Sequence, residues 1–294
     1  MTPLRIALVG AGSMAAKHAA VVTDAASARL QLVVDRDPDR AAYLASQHGA
    51  ASATKLDDAL NCDAAIVATC TPNHRDAALT LLAAGMPVLV EKPLAMSLAE
   101  VNEVVDAAHS MDAVLMCGFV ERFNSRLWPC FDLAGRGITE IRTTRVGPPP
   151  SRPVHSSVIN DLLLHDLDLV LRMVGHDPLV ELDVRADHWN ADAAWPEAVT
   201  CQLAFASGVT ASMHASRVAP ARMRSFSVTT DSTTRSADLT VMTGNPLAAQ
   251  FNHLVHLARS GTRAARAAER GSIVAAHALA DRVESLIGVP ACTR

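Results

Sequence analysis

The sequence predicts an α/β chain: an N-terminal doubly wound parallel sheet, then a C-terminal α/β domain with a largely antiparallel open sheet. Three observations predict it. Short, continuous apolar runs alternate with Ala/Leu-rich helical stretches from residue 4 to about residue 118. A glycine-rich turn joins the first run to the first helix. Beyond residue 120, apolar residues recur instead at every second position through several successive runs. Continuous runs between helices suit strands buried on both faces, and period-two runs suit strands covered on one.

Taken in order, the first segment has strand runs at 5–9, 30–34, 64–68, 88–90 and 114–117, with helices at 15–23, 38–47, 74–84 and 98–110. Gly49 and Gly85 stand where two helices must stop, and Ser97 with Glu100 forms a capping box opening the last. The domain boundary is expected at 120, giving 1–120 and 121–294. The second segment has a helix at 125–134, a strand at 139–146, a Pro-rich loop at 147–153 and a helix at 158–174. Strands at 178–189, 197–206, 208–217, 223–230 and 234–242 follow, and helices at 247–259 and 268–287 close the chain. In the run 199–205, Val199, Cys201, Leu203 and Phe205 share one face and Thr200, Gln202 and Ala204 the other. That second face suits a flat contact between subunits, so a homodimer or homotetramer is expected.

Composition narrows the function. The chain has 294 residues, 50% hydrophobic and 19% charged, which excludes a disordered or collagen-like chain. A net charge of −4 gives no basic field for nucleic acid. The six cysteines (62, 70, 117, 130, 201 and 292) form no framework and read as thiols of a reducing compartment. The longest uncharged apolar stretch, 77–90, is broken by Gly85 and Pro87 and is too short for a bilayer. The first residues carry no secretory pattern. A cytoplasmic protein without nucleic-acid or membrane partners is expected. Only Lys17, Lys55 and Lys92 among the 26 basic residues are lysines, the basic side chain whose proton can be tuned.

The first strand runs into Gly10-Ala11-Gly12-Ser13-Met14-Ala15, a GxGxxA turn opening a helix. Gly10 permits the tight turn, Gly12 lets a pyrophosphate approach the backbone, and Ala15 allows close helix–strand packing. The second strand ends in Asp35, placed to accept the ribose hydroxyls of NAD and to repel the 2′-phosphate of NADP. The adjacent Arg36 could stack on adenine or hold that phosphate, so NAD leads and NADP stays open. Cys70-Thr71-Pro72-Asn73-His74 follows another strand and by itself reads as a helix entry capped by Asn73. Lys92 follows a buried strand directly, is fixed by Pro93, and points over the same sheet edge as the glycine turn.

GxGxxA, Thr-Pro-Asn-His, Glu91-Lys92-Pro-Leu-Ala and Gly118-Phe-Val-Glu-Arg-Phe-Asn124 together resemble the Gfo/Idh/MocA family of sugar and cyclitol dehydrogenases. The likeness covers nearly the whole chain. It implies an N-terminal Rossmann domain and a C-terminal α/β domain whose open sheet forms oligomer contacts. It also implies hydride transfer between a sugar or cyclitol carbon and NAD(P). Carried over, Lys92 is the catalytic lysine, Glu91 lies on the nicotinamide side, and Thr71, Pro72 and His74 belong to the cofactor side. The family's Asp and His four apart appear as Asp161 and His165, without the two glycines that normally precede them; Ile159 and Asn160 stand there. The look is most similar to the short branch that includes UDP-N-acetylglucosamine 3-dehydrogenases.

Independently, positions 161, 165, 168 and 172 fall on one stripe of an otherwise apolar helix, as Asp, His, Asp and Arg. Asp168–Arg172 reads as a structural pair, whereas Asp161 can orient His165 as a base. A metal site there lacks a further nitrogen or sulfur ligand, and none is expected. Arg142, Arg145 and Arg152 flank a stiff loop; Arg145 and Arg152 could grip a substrate diphosphate, or the arginines could keep an edge strand soluble. Arg122 and Asn124 could border the pocket, or Arg122 could pair across the domain junction. His18 reads as packed or capping. The expected activity is oxidation of a secondary hydroxyl of a sugar, C3 of a UDP-amino sugar. A free cyclitol, aldose or keto-deoxysugar dehydrogenase on the same fold is one alternative. A catalytically silent NAD(H)-sensing binding protein is the other.

Overall fold

The computed structural model describes residues 2–151, 156–187, 195–241 and 243–288. Arg152, Pro153, Cys292 and the last residues of the expected runs 178–189 and 234–242 lie outside them.

Residues 1–120 and 247–274 form one compact unit. Its strands β1 (Leu4–Val9), β2 (Ala28–Val34), β3 (Ala51–Ala53), β4 (Ala64–Val67), β5 (Val88–Val90) and β6 (Leu115–Cys117) make a six-stranded sheet in the order β3-β2-β1-β4-β5-β6. Every pair is parallel. Helices α1 (Ser13–Asp24), α2 (Pro38–Gln47), α3 (His74–Ala83) and α4 (Leu98–Ser110) are the crossovers. Strands β4, β5 and β6 are wholly apolar and the inner positions of β1 are too, because both faces are covered: Ile6, Leu8, Ile66, Val88 and Leu89 are completely buried. Asp37 caps α2 by accepting the Asp39 and Arg40 N–H groups, with Pro38 in the first turn. Ser97 caps α4 through the Glu100 N–H, while the Glu100 carboxylate accepts the Met96 N–H.

The segment 247–274 was expected in the second domain and belongs to the first unit. Its side chains explain why. Arg259 donates to the Thr2 and Ser27 carbonyls, Gln250 to Cys117 and Arg270 to Ala113. The helices involved are α7 (Pro246–Ser260) and α8 (Arg263–Leu286), the latter beginning five residues earlier than expected.

Residues 121–246 and 275–294 form the second unit. Between the units' sheets in sequence, the helix expected at 125–134 shrinks to a 3₁₀ turn, Ser125–Leu127, and α5 (Trp128–Phe131). Strands β7 (Ile138–Val146), β8 (Leu179–Asp187), β9 (Ala198–Phe205), β10 (Thr210–Ser216), β11 (Met223–Thr230) and β12 (Thr234–Asp238) form a mixed sheet in the order β12-β11-β7-β10-β9-β8. Only β7–β10 is parallel. Ile141, Thr143 and Arg145 of β7 and Phe226 and Val228 of β11 are buried, whereas Arg142 is exposed. The helix expected at 158–174 is a π-turn, Ile159–Leu163, running into α6 (Leu164–Val174). No described helix is long and apolar enough to cross a membrane.

Candidate functional site

In the first unit, the strands' carboxyl ends continue the parallel pairing one step beyond each strand. The Gly10 N–H donates to Val34 O at 2.7 Å, Ala68 to Val9 at 2.8 Å, Glu91 to Val67 at 2.9 Å and Gly118 to Val90 at 2.7 Å. Four loops therefore leave the sheet from fixed points. The strand order reverses between β1 and β4, where doubly wound sheets open a crevice for ligands.

Gly10 has φ 108°, and a Cβ there would stand 2.6 Å from the Ala68 carbonyl oxygen, so only glycine fits. Gly12 is the N-cap of α1 and supplies no side-chain cap, which leaves the first-turn N–H groups for an anion. Asp35 accepts the Ala11 N–H at 2.7 Å on one oxygen and the Asp37 N–H at 3.0 Å on the other. An open helix terminus, a glycine cradle and an anchored carboxylate fit a dinucleotide. Ser13 and Arg36 are exposed and Met14 is half-buried. Arg40, which no motif signalled, brings Nη2 to 3.5 Å from Ala11 O.

Lys92 is half-buried at the end of β5, and its backbone is held on both sides. Its N–H donates to Glu91 Oε2 at 3.2 Å, while Glu91 Oε1 lies 2.7 Å from His18 Nε2. Burial pushes the Glu91 carboxyl up, but the His18 hydrogen bond and charge, with Lys92, outweigh it and leave the pKa below the ordinary value. Gly118 closes against this group; a Cβ there would be 2.6 Å from Glu91 Oε2. On the other side, His74 Nδ1 is 2.8 Å from Pro93 O and Nε2 is 3.1 Å from Thr69 O. His74, expected among the cofactor contacts, is 1% exposed and ties two loops together. Thr71 and Pro72 open the 3₁₀ turn Thr71–Asn73 ahead of α3. Asn73 does not cap α3; its amide reaches Cys70 Sγ at 3.2 Å.

In the second unit, the π-turn carries Asp161, and His165 lies in the first turn of α6; both are half-buried. Where the family has glycines, Asn160 instead donates to Glu284 Oε1 at 2.8 Å, and Ser157 also bonds Glu284. Arg217, which no sequence signal marked, brings Nη1 to 3.9 Å from Asp161 Oδ2 and bonds Glu197 and Ser156 O.

Beneath His165, α6 is fixed by ions. Arg145 bonds both oxygens of Asp166 and Glu121 Oε1. Although burial opposes its charge, those two carboxylates hold its pKa above the ordinary arginine value. Arg122 bonds both oxygens of Asp168, so the expected Asp168–Arg172 pair is replaced and Arg172 is exposed. Asn124 is fully buried, donating to Glu121 and accepting the Arg126 N–H. Arg122, Asn124 and Arg145 were expected at the substrate; buried and internally bonded, they are supports of α6 and its neighbours. Arg152 lies outside the described residues. Among the described residues no group of metal-ligating side chains is assembled.

A doubly wound sheet with a glycine cradle and an anchored carboxylate at the end of β2, followed by a mixed-sheet α/β unit, fits a dinucleotide-dependent oxidoreductase. Residues 4–119 match the oxidoreductase family with an NAD-binding Rossmann fold, and residues 141–234 match the GFO/IDH/MocA C-terminal domain. The chain belongs to the GFO/IDH/MocA oxidoreductase family, and its cofactor is NAD. It is 31% identical over 231 residues to UDP-N-acetylglucosamine 3-dehydrogenase of Acidithiobacillus ferrooxidans, covering 77% of this chain and 72% of that enzyme. It is likewise 31% identical over 197 residues to inositol 2-dehydrogenase of Leifsonia xyli subsp. xyli, covering 64% of this chain and 58% of that one. The solved structure of the A. ferrooxidans enzyme superposes with a TM-score of 0.82 at 23% identity, covering 97% of this chain and 98% of that chain.

Proposed function

We propose that this dehydrogenase oxidises a secondary hydroxyl of a nucleotide-linked amino sugar, at C3 of a UDP-sugar, with NAD as acceptor. The observation that carries the chemistry is Lys92: a half-buried lysine just beyond the carboxyl end of β5, its N–H held by Glu91 and the carbonyl of the next residue, Pro93, held by His74. The relative from A. ferrooxidans supports the substrate class. When bound, NAD supplies the acceptor for the hydride that leaves the carbinol carbon. The open terminus of α1 and Gly12 would hold its pyrophosphate, and Asp35 its adenosine ribose. His165 takes the hydroxyl proton, with Asp161 orienting its ring. A positioned base of this kind contributes roughly 10²–10⁴ in rate. Lys92 donates to the substrate oxygen and stabilises its alkoxide character.

The test is a screen of UDP-N-acetylglucosamine, other UDP-sugars and free cyclitols against NAD and NADP, following reduced nicotinamide. NAD-dependent turnover of a UDP-amino sugar, abolished in His165→Asn, is expected. Near wild-type turnover in His165→Asn sinks the base assignment. A second substrate class is favoured by the inositol 2-dehydrogenase relative; turnover of free cyclitols alone would establish it instead.

A further inference from the structure

Arg224, the second residue of β11, stands in direct register with Arg145 of β7. Both follow the alternation that buries Phe226, Val228, Ile141 and Thr143, so both belong to the face against which Asp166 of α6 meets Arg145. Like charges directly opposed across an antiparallel pair repel. Arg145 relieves its share through Asp166 and Glu121. The Arg224 guanidinium is half-buried and has no hydrogen-bond or ion-pair partner among the described residues. Burial, with the Arg145 charge beside it, pulls its pKa below the ordinary arginine value. A partly desolvated cation without a hydrogen-bonded partner is costly, and the attraction of the Glu121 and Asp166 carboxylates does not offset burial and the Arg145 charge.

We propose that Arg224 is the residue that binds the anionic group of the substrate, a phosphate or diphosphate ester. A guanidinium presents a planar fork of donors that matches phosphate oxygens in bidentate fashion, and its weak hydration suits a site with little water. This assigns to Arg224 the part first suspected of Arg145, which its two carboxylates have taken. It rests on the nucleotide-sugar reading above for the identity of the substrate, though the anion site itself is testable without turnover.

Two measurements decide it. Isothermal titration of the full chain saturated with NAD, which fills the glycine turn, with UDP and with inorganic pyrophosphate should give binding that weakens at least 10-fold in Arg224→Gln. Arg224→Lys should recover part of it, and Arg142→Gln, an exposed cation on the opposite face, should match wild type. Thermal unfolding of Arg224→Gln should occur at or above the wild-type temperature, because repulsion from Arg145 is removed. Absent binding of both probes by the wild type overturns the proposal, as does unchanged binding or a lowered unfolding temperature in Arg224→Gln. Whether UDP-N-acetylglucosamine is then oxidised is a separate result. Probe binding without turnover of any UDP-sugar leaves the anion site standing and removes the substrate reading. If UDP-sugars are turned over, their KM rises in Arg224→Gln while kcat and the KM for NAD hold.

Discussion

His18 Nε2 lies 2.7 Å from Glu91 Oε1, joining the helix after the glycine turn to the residue before Lys92. The His18 side chain is completely buried and that of Glu91 is 12% exposed. The cofactor turn and the lysine are thus mechanically linked through one carboxylate, which also receives the Lys92 N–H.

Replacing His18 by Leu removes the partner of a buried carboxylate. Breaking such a pair from one side costs about 3–5 kcal/mol. Urea unfolding at neutral pH should register that loss, and turnover should fall further than stability alone explains. His18→Gln, which still offers a donor, should recover part of both. Because the folded Glu91 pKa is depressed, its stabilisation is present above the unfolded value and disappears as pH falls through the folded one. The wild-type advantage over His18→Leu should therefore shrink in acid.

Gly118 provides a steric test of the same group. A Cβ there would be 2.6 Å from Glu91 Oε2 and 2.9 Å from the Lys92 nitrogen, whereas one at Gly147 would meet nothing within 4 Å. Gly118→Ala should destabilise the chain by about 1–3 kcal/mol through overpacking and lower kcat by moving Lys92. Gly147→Ala should stay within about 0.5 kcal/mol of wild type. Equal unfolding midpoints for the two variants would contradict the packing.

His74 sets a pH signature. Its two carbonyl neighbours and Glu91 favour the protonated ring, while burial and Lys92 favour the neutral one; burial dominates and lowers the pKa. The unfolded chain then binds a proton that the folded chain refuses. Stability from this residue is complete above the unfolded value near 6.5 and is lost as pH falls through the depressed folded value. Each unit of separation corresponds to about 1.4 kcal/mol. The pH dependence of denaturant midpoints should be flatter below 6.5 in His74→Gln than in wild type.

These supports mark where sequence reading stops. Gly10, Gly12, Asp35 and Lys92 sit in local motifs whose backbone requirements are written in neighbouring residues, so their places at the strand ends were legible. His18 and Glu91 are 73 residues apart, and their pairing is a property of the sheet order alone. Strand β3, Ala51–Ala53, escaped because three small residues carry no strand preference. The π-turn before α6 was hidden because the apolar spacing around it still reads as an ordinary helix. Helical spacing likewise paired Asp168 with Arg172, but the buried Arg122 fork won. Arg145 was noticed for its charge, and only burial beside Asp166 and Glu121 showed where that charge is used.

Lys92→Arg separates charge from chemistry. Arginine keeps the positive charge, so dinucleotide affinity should change little; titration with NADH should give a Kd within a few-fold of wild type. Turnover should drop by roughly 10²–10⁴, because the planar guanidinium cannot present a compact, tunable donor to the substrate oxygen. The clamp uses the Lys92 N–H and the Pro93 carbonyl, which the substitution leaves in place, and the positive charge that faces Glu91 is kept. Unfolding midpoints should therefore match wild type, and a variant that is stable, binds NADH and fails to turn over localises the defect to the side chain. Turnover within 3-fold of wild type would remove Lys92 from the chemistry and leave its clamp as purely architectural.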